Sequence, residues 1–238
     1  MNRNSALRLA RVASEEAHRA TTGLKKPGFP KLFYLSYQIR DLDVFEVEAR
    51  YGSLYRNESY RKRNCLADTH VGSHRRDQTS DGGLFDNSKD DESHGYVELP
   101  ISDRSEPMKI GLWRLTDAKY REAEEAFLSK RAHELTYLDT TEHLGAWQKC
   151  QPVVNHGATT LPAVDQEYWS EYVEKASAAV RAFPLVRNSH VELKVRHQTN
   201  LFVNTEGSSL IESRSYWQLE AYLWYLSDKG DGIPWIVS

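Results

Sequence analysis

Apolar residues recur along this chain with two different periods, which separate predicted helices from predicted strands. Over residues 5–20 they recur every three to four positions, which indicates an amphipathic helix with Ser5 as its cap. The same spacing predicts a long helix over 106–133 and a third helix over 165–183, capped by Asp165. The faces expected to be buried in the second and third helices contain Trp113, Thr116, Tyr120, Ala123 and Phe127, and Trp169, Tyr172, Val173, Ala176, Ala179, Val180 and Phe183.

Two stretches rich in β-branched and aromatic residues predict strands. Residues 32–60 include a segment in which apolar and charged residues alternate strictly, which is the pattern of a half-buried strand. A further strand is expected over 65–72. Residues 189–226 predict a hairpin with Gly207 at its turn, followed by a long strand over 209–226.

The two strand regions resemble each other in sequence. The segment QIRDLDVFEVEARYGSLYRNESY is similar to KVRHQTNLFVNTEGSSLIESRSY, with one residue of slippage, and such self-similarity indicates a duplicated unit. We therefore predict an α+β fold: a mainly antiparallel sheet with helices packed on one face and a weak internal duplication. The expected domains are an amino-terminal helix and linker over 1–30 and one larger domain over 31–238.

The charge of the chain limits the kinds of partner that it is expected to bind. The 238 residues include 31 basic and 34 acidic side chains, and the net charge of −3 gives no global attraction to nucleic acid or to a membrane surface. A basic strip over 56–76 is accompanied by Tyr51, Tyr55 and Tyr60, but the acidic segment 77–92 follows it directly. This pattern favours a solvated surface over a docking strip for an acidic partner. We expect neither nucleic acid nor a membrane as a partner.

The sequence also bears on the compartment. No apolar run approaches the length of a transmembrane helix, and Arg8 and Arg11 interrupt the amino-terminal segment where a signal peptide would be apolar. Cys65 and Cys150 form no Cys-x-x-Cys pair, so we expect two buried free thiols. These features predict a cytoplasmic protein.

Candidate metal ligands do not fall at chelating distances. His133 and Glu134 begin a zinc-peptidase pattern, but HExxH needs a histidine at the position of Tyr137 and HExxxH needs one at the position of Leu138. The sequence predicts no catalytic, cofactor-binding or metal-binding residue in this chain.

Two further histidines and an acidic loop give no stronger signal. His70 and His74 lie in a segment expected to be extended, where four residues span about 13 Å, too far for one metal ion. Asp68 is near His70 in sequence, but no nucleophile accompanies the pair. The loop 77–95, rich in Asp, Gly, Ser and Asn, lacks the residue order of a calcium-binding loop.

Four segments together resemble a known family. FYLSYQIRDLDVFEVEARYGSLYRNESYRKRNCLADTHVG is similar to the first strands of TldD/PmbA-type proteins. GLWRLTDAKYREAEEAFLSKRAH and LPAVDQEYWSEYVEKASAAVRAFP resemble the two helices that follow there. TNLFVNTEGSSLIESRSYWQLEAYL resembles a later hairpin and strand. The match covers roughly residues 30–226, with the segments in the family's order.

The resemblance implies the amino-terminal domain of a TldD/PmbA-type metallopeptidase. In that family the HExxxH motif and a further cysteine ligand lie in the carboxy-terminal half, so no catalytic residue is carried over to this chain. Family members form pairs, some with one catalytic and one metal-free subunit, and cleave unfolded peptides. The resemblance thus implies a non-catalytic subunit of a split or heteromeric peptidase. Zinc is then expected on a second chain that carries the HExxxH half, with a peptide as substrate.

Two other functions remain open for this chain, and one predicted surface is relevant to each of the three. The chain can instead be a free-standing module that binds an extended peptide at a sheet edge, or an enzyme whose site the sequence does not reveal. On the predicted strand 209–226, one face combines aromatic and polar residues, as protein interfaces do. We predict that Tyr216, Tyr222 and Trp224 on this face contact a partner chain or a peptide.

Overall fold

The chain is described by a computed structural model. The residues that it describes are 1–25, 27–79, 97–102, 104–137, 147–227 and 229–237. Most of the predicted loop 77–95 lies outside these ranges, as does His143.

Three α-helices and seven strands make up the described chain, close to the pattern expected from the sequence. In chain order they are α1 (Arg3–Gly23), β1 (Leu32–Arg50), β2 (Ser53–Val71), β3 (Val97–Glu98), α2 (Ser105–Tyr137), β4 (Val154–His156), α3 (Gln166–Ala178), β5 (Val186–Asn204), β6 (Ser209–Leu226) and β7 (Gly232–Val237). A short 3₁₀ helix, Ala179–Ala182, extends α3 by one turn.

The strands form one mainly antiparallel sheet, ordered β3-β2-β1-β5-β6-β4, with β7 also paired to β6. Only the short pairing of β4 with β6 is parallel among the strand pairs that the structure describes. Two long hairpins dominate, β1–β2 with strands of 19 and 19 residues and β5–β6 with strands of 19 and 18. The predicted α+β class is confirmed, and the two hairpins correspond to the two similar sequence segments.

The described residues divide into two compact units. The first unit comprises 1–41, 63–159 and 199–212, and the second comprises 42–62, 160–198 and 213–238. In the first unit α1 and α2 pack against each other and against the odd-numbered side of the strands. The core of this unit includes Ala13, Leu35, Tyr37, Cys65, Leu112 and Leu201.

The second unit has a smaller core between α3 and its strands. Val173 of α3 packs with odd-numbered residues of β1 and β5, among them Phe45, Val47, Leu193 and Val195. The alternation that predicted a half-buried strand at Phe45, Val47 and Ala49 is therefore present in the structure.

The turn of the β1–β2 hairpin fixes where α3 approaches it. Tyr51 and Gly52 both have positive φ, 48° and 74°, as a two-residue turn of this hand requires. The Gly52 backbone N–H donates to Ser177 Oγ at 2.8 Å, and a Cβ at this position would press on Ala178. Glycine is therefore needed for both the turn and the close approach of α3.

Several local predictions were wrong. Asn2, not Ser5, caps α1, since its side chain accepts from the Ser5 backbone N–H at 2.8 Å. Trp113 is exposed, because the buried stripe of α2 runs one residue earlier, through Leu112. Cys150 is exposed rather than buried. On and after α3, the side chains of Tyr172 and Phe183 are exposed too.

The helices also bear on membrane insertion. Among the described residues, no helix combines the length and the apolar character needed to span a bilayer.

Candidate partner-binding surface

The residues predicted to contact a partner lie on β6 in the second unit. Tyr216 is 47% exposed and Trp224 is 37% exposed, while Tyr222 is half-buried. Side chains alternate between the two sides of a strand, so these even-numbered residues share one side of β6. We call the even-numbered side of β6 and β7 the even face, and the opposite side the odd face.

Two of the three predicted residues are held by neighbours on the even face. The ring of Tyr222 stacks on the imidazole of His190 of β5, with centroids 5.2 Å apart and planes at 17°. The indole of Trp224 lies over Gly232 of β7, at a position that any Cβ on that glycine would occupy. Both aromatic rings are thus oriented by the chain itself, which lowers the entropy cost of presenting them to a partner.

Strand β7 extends the same surface, and the sequence analysis did not predict it. It pairs antiparallel with the end of β6, in a register that places Trp224 opposite Pro234 and Tyr222 opposite Ile236. Directly paired residues in antiparallel strands point to the same side, so Pro234 and Ile236 continue the even face. Ile236 is strongly exposed.

Pro234 determines which edge of β7 is free to pair. Proline has no backbone N–H, so Pro234 cannot donate to β6 and its nitrogen belongs on the outer edge. The outer edge of β7 therefore lacks a donor at its centre. Proline in this place is one way in which edge strands resist pairing with further strands.

The odd face of the second unit is only partly covered. Trp217 lies 5.9 Å from Trp169 of α3, between ring centroids, and Ala221 packs against the core of this unit. Leu219 between these two residues and Tyr225 near the end of β6 are exposed. The exposed apolar residues that β7 adds on the same side are Ile233, Trp235 and Val237. Within the second unit, α3 therefore covers this side of β6 only in part, since even Trp217 beside Trp169 remains exposed.

One buried carboxylate of the second unit is compensated by neighbours on β2 and β5. The carboxylate of Glu46 is buried, and it forms ion pairs with Lys194 and, at 3.3 Å, with Arg56. Burial alone would raise the pKa of Glu46, but the hydrogen bonds and charges of Lys194, Tyr60 and Arg56 hold it below its usual value. Residues 232–237 of β7 carry no charge at all. The part of the surface that β7 forms therefore suits an apolar or aromatic partner, while β6 adds polar and charged side chains such as Glu220.

Histidines considered as metal ligands are dispersed in the first unit. His133 is exposed on α2, and Glu134 beside it forms an ion pair with Arg76. His74 pairs instead with Glu206, at 2.9 Å. Within the described ranges, no three His, Cys, Asp or Glu side chains are grouped so that they could hold a metal ion.

Sequence reasoning missed buried polar groups, among them His70, and part of the exposed surface. For His70 the sequence indicated only an extended segment, yet its side chain is buried against Asp77 and Trp147. The irregular segment around Trp147 carries no periodic pattern, so the sequence offered no sign of this contact. For β7, the segment GIPWIV contains both glycine and proline, which hide its strand character.

Comparison with solved structures shows a likeness in fold. A candidate modulator of DNA gyrase from Bacteroides thetaiotaomicron superposes with a TM-score of 0.50 and 8% identity, over 97% of this chain and 44% of that one. A second candidate modulator of DNA gyrase, from Thermotoga maritima, gives 0.46 and 13%, over 93% and 42%. TldE from Thermococcus kodakarensis gives 0.41 and 9%, over 85% and 39%.

The sequence itself matches no family model and no curated protein. At these identities the comparisons concern the fold alone, and the chain spans less than half the length of each of these solved structures. The resemblance to TldD/PmbA-type proteins that four sequence segments indicated is therefore confirmed as a resemblance of fold.

Proposed function

We propose that this chain is a non-catalytic subunit of a split or heteromeric TldD/PmbA-like metallopeptidase that acts on unfolded peptides. The zinc site lies on a partner chain that carries the HExxxH motif. The observation that supports this proposal is the apolar and aromatic surface that β6 and β7 expose on both faces of the second unit. A surface of this kind usually marks a protein interface.

The residue types support a protein partner. Tyrosine and tryptophan contribute most to binding energy at interfaces, because they bury much apolar area and lose little side-chain entropy. Tyr216, Tyr222 and Trp224 on the even face are the anchors in this proposal, and Ile236 of β7 extends that face, whereas Trp235 is exposed on the opposite, odd face. The absence of charge from β7 fits the core of such an interface, where charged residues are depleted.

A free-standing peptide-binding module has weaker support. Adding a peptide strand needs an edge with free donors and acceptors, and Pro234 removes a donor from the outer edge of β7. The edge formed by β2 in the second unit carries Arg56, Glu58, Arg61 and Lys62, and charged side chains discourage strand pairing. The interface proposal is therefore the stronger of the two.

The proposal places the complex in the cytoplasm. Cys65 and Cys150 are both free thiols, as is common for proteins of a reducing compartment. Neither nucleic acid nor a membrane is proposed as a partner, since the net charge of −3 favours neither.

Affinity capture of the tagged full chain from its native host tests the proposal. Mass spectrometry of the captured proteins is expected to identify a chain that contains HExxxH. The double variant Tyr222→Ala/Trp224→Ala should lose that partner, because truncating an anchor typically costs about 2 kcal/mol or more of binding, roughly 30-fold in affinity. Tyr55→Ala, which removes an exposed tyrosine from the other hairpin, is the matched control and should retain it.

Circular dichroism of each variant checks the fold. The ring of Trp224 covers Gly232, so its loss can loosen β7; Tyr216→Ala is therefore tested in parallel, since Tyr216 is the most exposed of the three anchors. A folded double variant that retains its partner at wild-type affinity would contradict the role given to these residues. Capture of partners that all lack HExxxH would contradict the proposed complex.

A further inference from the structure

The first unit contains a buried histidine that shares one of its atoms between two partners. His70 of β2 is 6% exposed. Its Nδ1 lies 2.7 Å from Oδ2 of Asp77, a carboxylate that is fully buried. The same Nδ1 lies 3.0 Å from Nε1 of Trp147.

These two contacts need opposite states of the same nitrogen. The indole N–H of Trp147 only donates, so Nδ1 must offer a lone pair to accept it. The ionised carboxylate of Asp77 only accepts, so Nδ1 must carry a proton to donate to it. One nitrogen cannot do both at once, and the two hydrogen bonds exclude each other.

Because the second ring nitrogen can keep its proton throughout, the two states of His70 differ by one proton. Nε2 of His70 lies 3.2 Å from the carboxylate of Asp68, whose side chain is half exposed. Nε2 can donate to Asp68 in both states. In the neutral tautomer with its proton on Nε2, Nδ1 accepts from Trp147; the other neutral tautomer, with its proton on Nδ1, would donate to Asp77 and leave Nε2 with no proton for Asp68. With protons on both nitrogens, Nδ1 donates to Asp77 and the indole loses its acceptor.

The indole hydrogen bond is one of a few contacts that hold the segment 147–150. The backbone N–H of Trp147 donates to the carbonyl of His74 at 2.8 Å. Its ring stacks on Tyr34, with centroids 5.0 Å apart, and meets the edge of His70 at 4.4 Å. Gln148, Lys149 and Cys150 are exposed. Trp147 is thus the anchor of this segment, and its polar attachment depends on the state of His70.

We propose that His70 and Trp147 form a proton-dependent clasp. Neutral His70 accepts the indole N–H of Trp147 and holds the segment 147–150 against β1 and β2. Protonated His70 donates to Asp77 instead, and the indole hydrogen bond is released.

The charges around His70 determine the pH at which the clasp changes state. Burial favours the neutral ring, but hydrogen bonds and charges from Asp68 and Asp77 outweigh it, so the pKa of His70 is raised above its usual value. Asp77 stays ionised, because the backbone N–H and hydroxyl of Thr79 donate to it in both states and protonated His70 adds a third donor, which together hold its pKa low against the effect of burial.

More distant charges are compensated by other partners. His74, which meets His70 across the ring of Phe33, pairs with Glu206. Arg76 pairs with Glu134 of α2, and Lys130 of α2 donates to the Thr79 carbonyl. The midpoint of the switch is therefore expected at a pH above the usual pKa of histidine. The indole hydrogen bond of Trp147 is released on the acidic side of that midpoint.

Nuclear magnetic resonance of the full chain tests this clasp. The indole Nε1–H resonance of Trp147, assigned by its absence in Trp147→Phe, is followed between about pH 5 and pH 9. It should move to a position typical of a free indole, and exchange faster with water, as the pH falls. The midpoint should coincide with the titration of the His70 ring protons in the same wild-type sample.

Carboxylate variants distinguish the clasp from a general effect of pH. Asp77→Asn removes the charge that favours protonation and should lower the midpoint by about one pH unit or more. Glu206→Gln makes the same chemical change beside His74 and should shift the midpoint much less. An indole resonance that stays in place across the range overturns the proposal, even if Asp77→Asn fails to fold. A midpoint that Asp77→Asn leaves unchanged overturns it too.

Discussion

At the scale of single residues, Arg63 is far more buried than its local sequence predicted. It belongs to the basic strip that was predicted to be solvated, yet its side chain is only 2% exposed. Its Nε donates to Asp41 at 2.8 Å and its Nη1 donates to the carbonyl of Pro100 at 2.7 Å. These partners are 22 and 37 residues distant along the chain, so no local pattern could have indicated them.

The Arg63–Asp41 pair leads to a stability prediction. Replacing Arg63 with Met leaves the Asp41 carboxylate buried without this guanidinium, and we expect a loss of about 3–5 kcal/mol in the free energy of unfolding. The double variant Arg63→Met/Asp41→Leu removes both charges and should lose much less. Urea unfolding measures both. A single variant as stable as the double variant would show that the ion pair is not coupled.

His197 of β5 gives a pH prediction in the second unit. Among the described residues neither of its ring nitrogens has a hydrogen-bond partner, and Trp217 meets its ring edge-on at 6.3 Å. Burial lowers the pKa of His197, although the charge of Asp43 opposes this. The unfolded chain takes up a proton near pH 6.5, whereas the folded chain resists it, so stability is retained above about pH 6.5 and falls below it.

Urea unfolding of variants between pH 5 and pH 8 measures this slope. His197→Phe should remove the part of the loss that appears below about pH 6.5. His190→Phe changes a histidine on the same strand and should keep that loss. If His197→Phe destabilises the chain equally at every pH, the histidine contributes by packing and not by its protonation.

At the scale of elements, periodicity predicted type and order better than boundaries and faces. Strict alternation located the half-buried part of β1, and Asp165 was identified correctly as the cap of α3. The buried faces of α2 and α3 were predicted less accurately. Trp113 and Tyr172 belong to an apolar stripe in the sequence, but the strip of each helix that contacts the core is narrower than that stripe. Burial depends on the width of the neighbouring sheet, which a single helix sequence does not encode.

Strand β7 provides a test at this scale. Gly232→Ala would place a Cβ against the indole of Trp224, so either the ring or the strand must move. We expect weaker pairing between β6 and β7, seen as faster hydrogen exchange at the backbone amides of Leu223 and Tyr225. These residues pair with Trp235 and Ile233. Gly23→Ala, at a helical glycine with room for a methyl group, is the control. Unchanged exchange in Gly232→Ala would mean that Trp224 can reorient without loss of β7.

At the scale of the whole molecule, four weak sequence segments in the right order predicted the fold better than any one of them. The structure has the expected α+β class, and its fold resembles that of a solved protein more than twice its length. The proposed surface could be predicted only in part. Alternation placed Tyr216, Tyr222 and Trp224 on one side of β6, whereas the contribution of β7 depends on a pairing that its sequence obscures.

The central claim is that the metal of the complex lies on a partner chain. Elemental analysis of the purified chain, and of the complex with its captured partner, tests this directly. The account predicts no stoichiometric zinc in the chain alone, about one zinc in each complex, and cleavage of an unfolded peptide by the complex only. About one zinc per molecule of the isolated chain, lost on changing His133 to Ala, would contradict it.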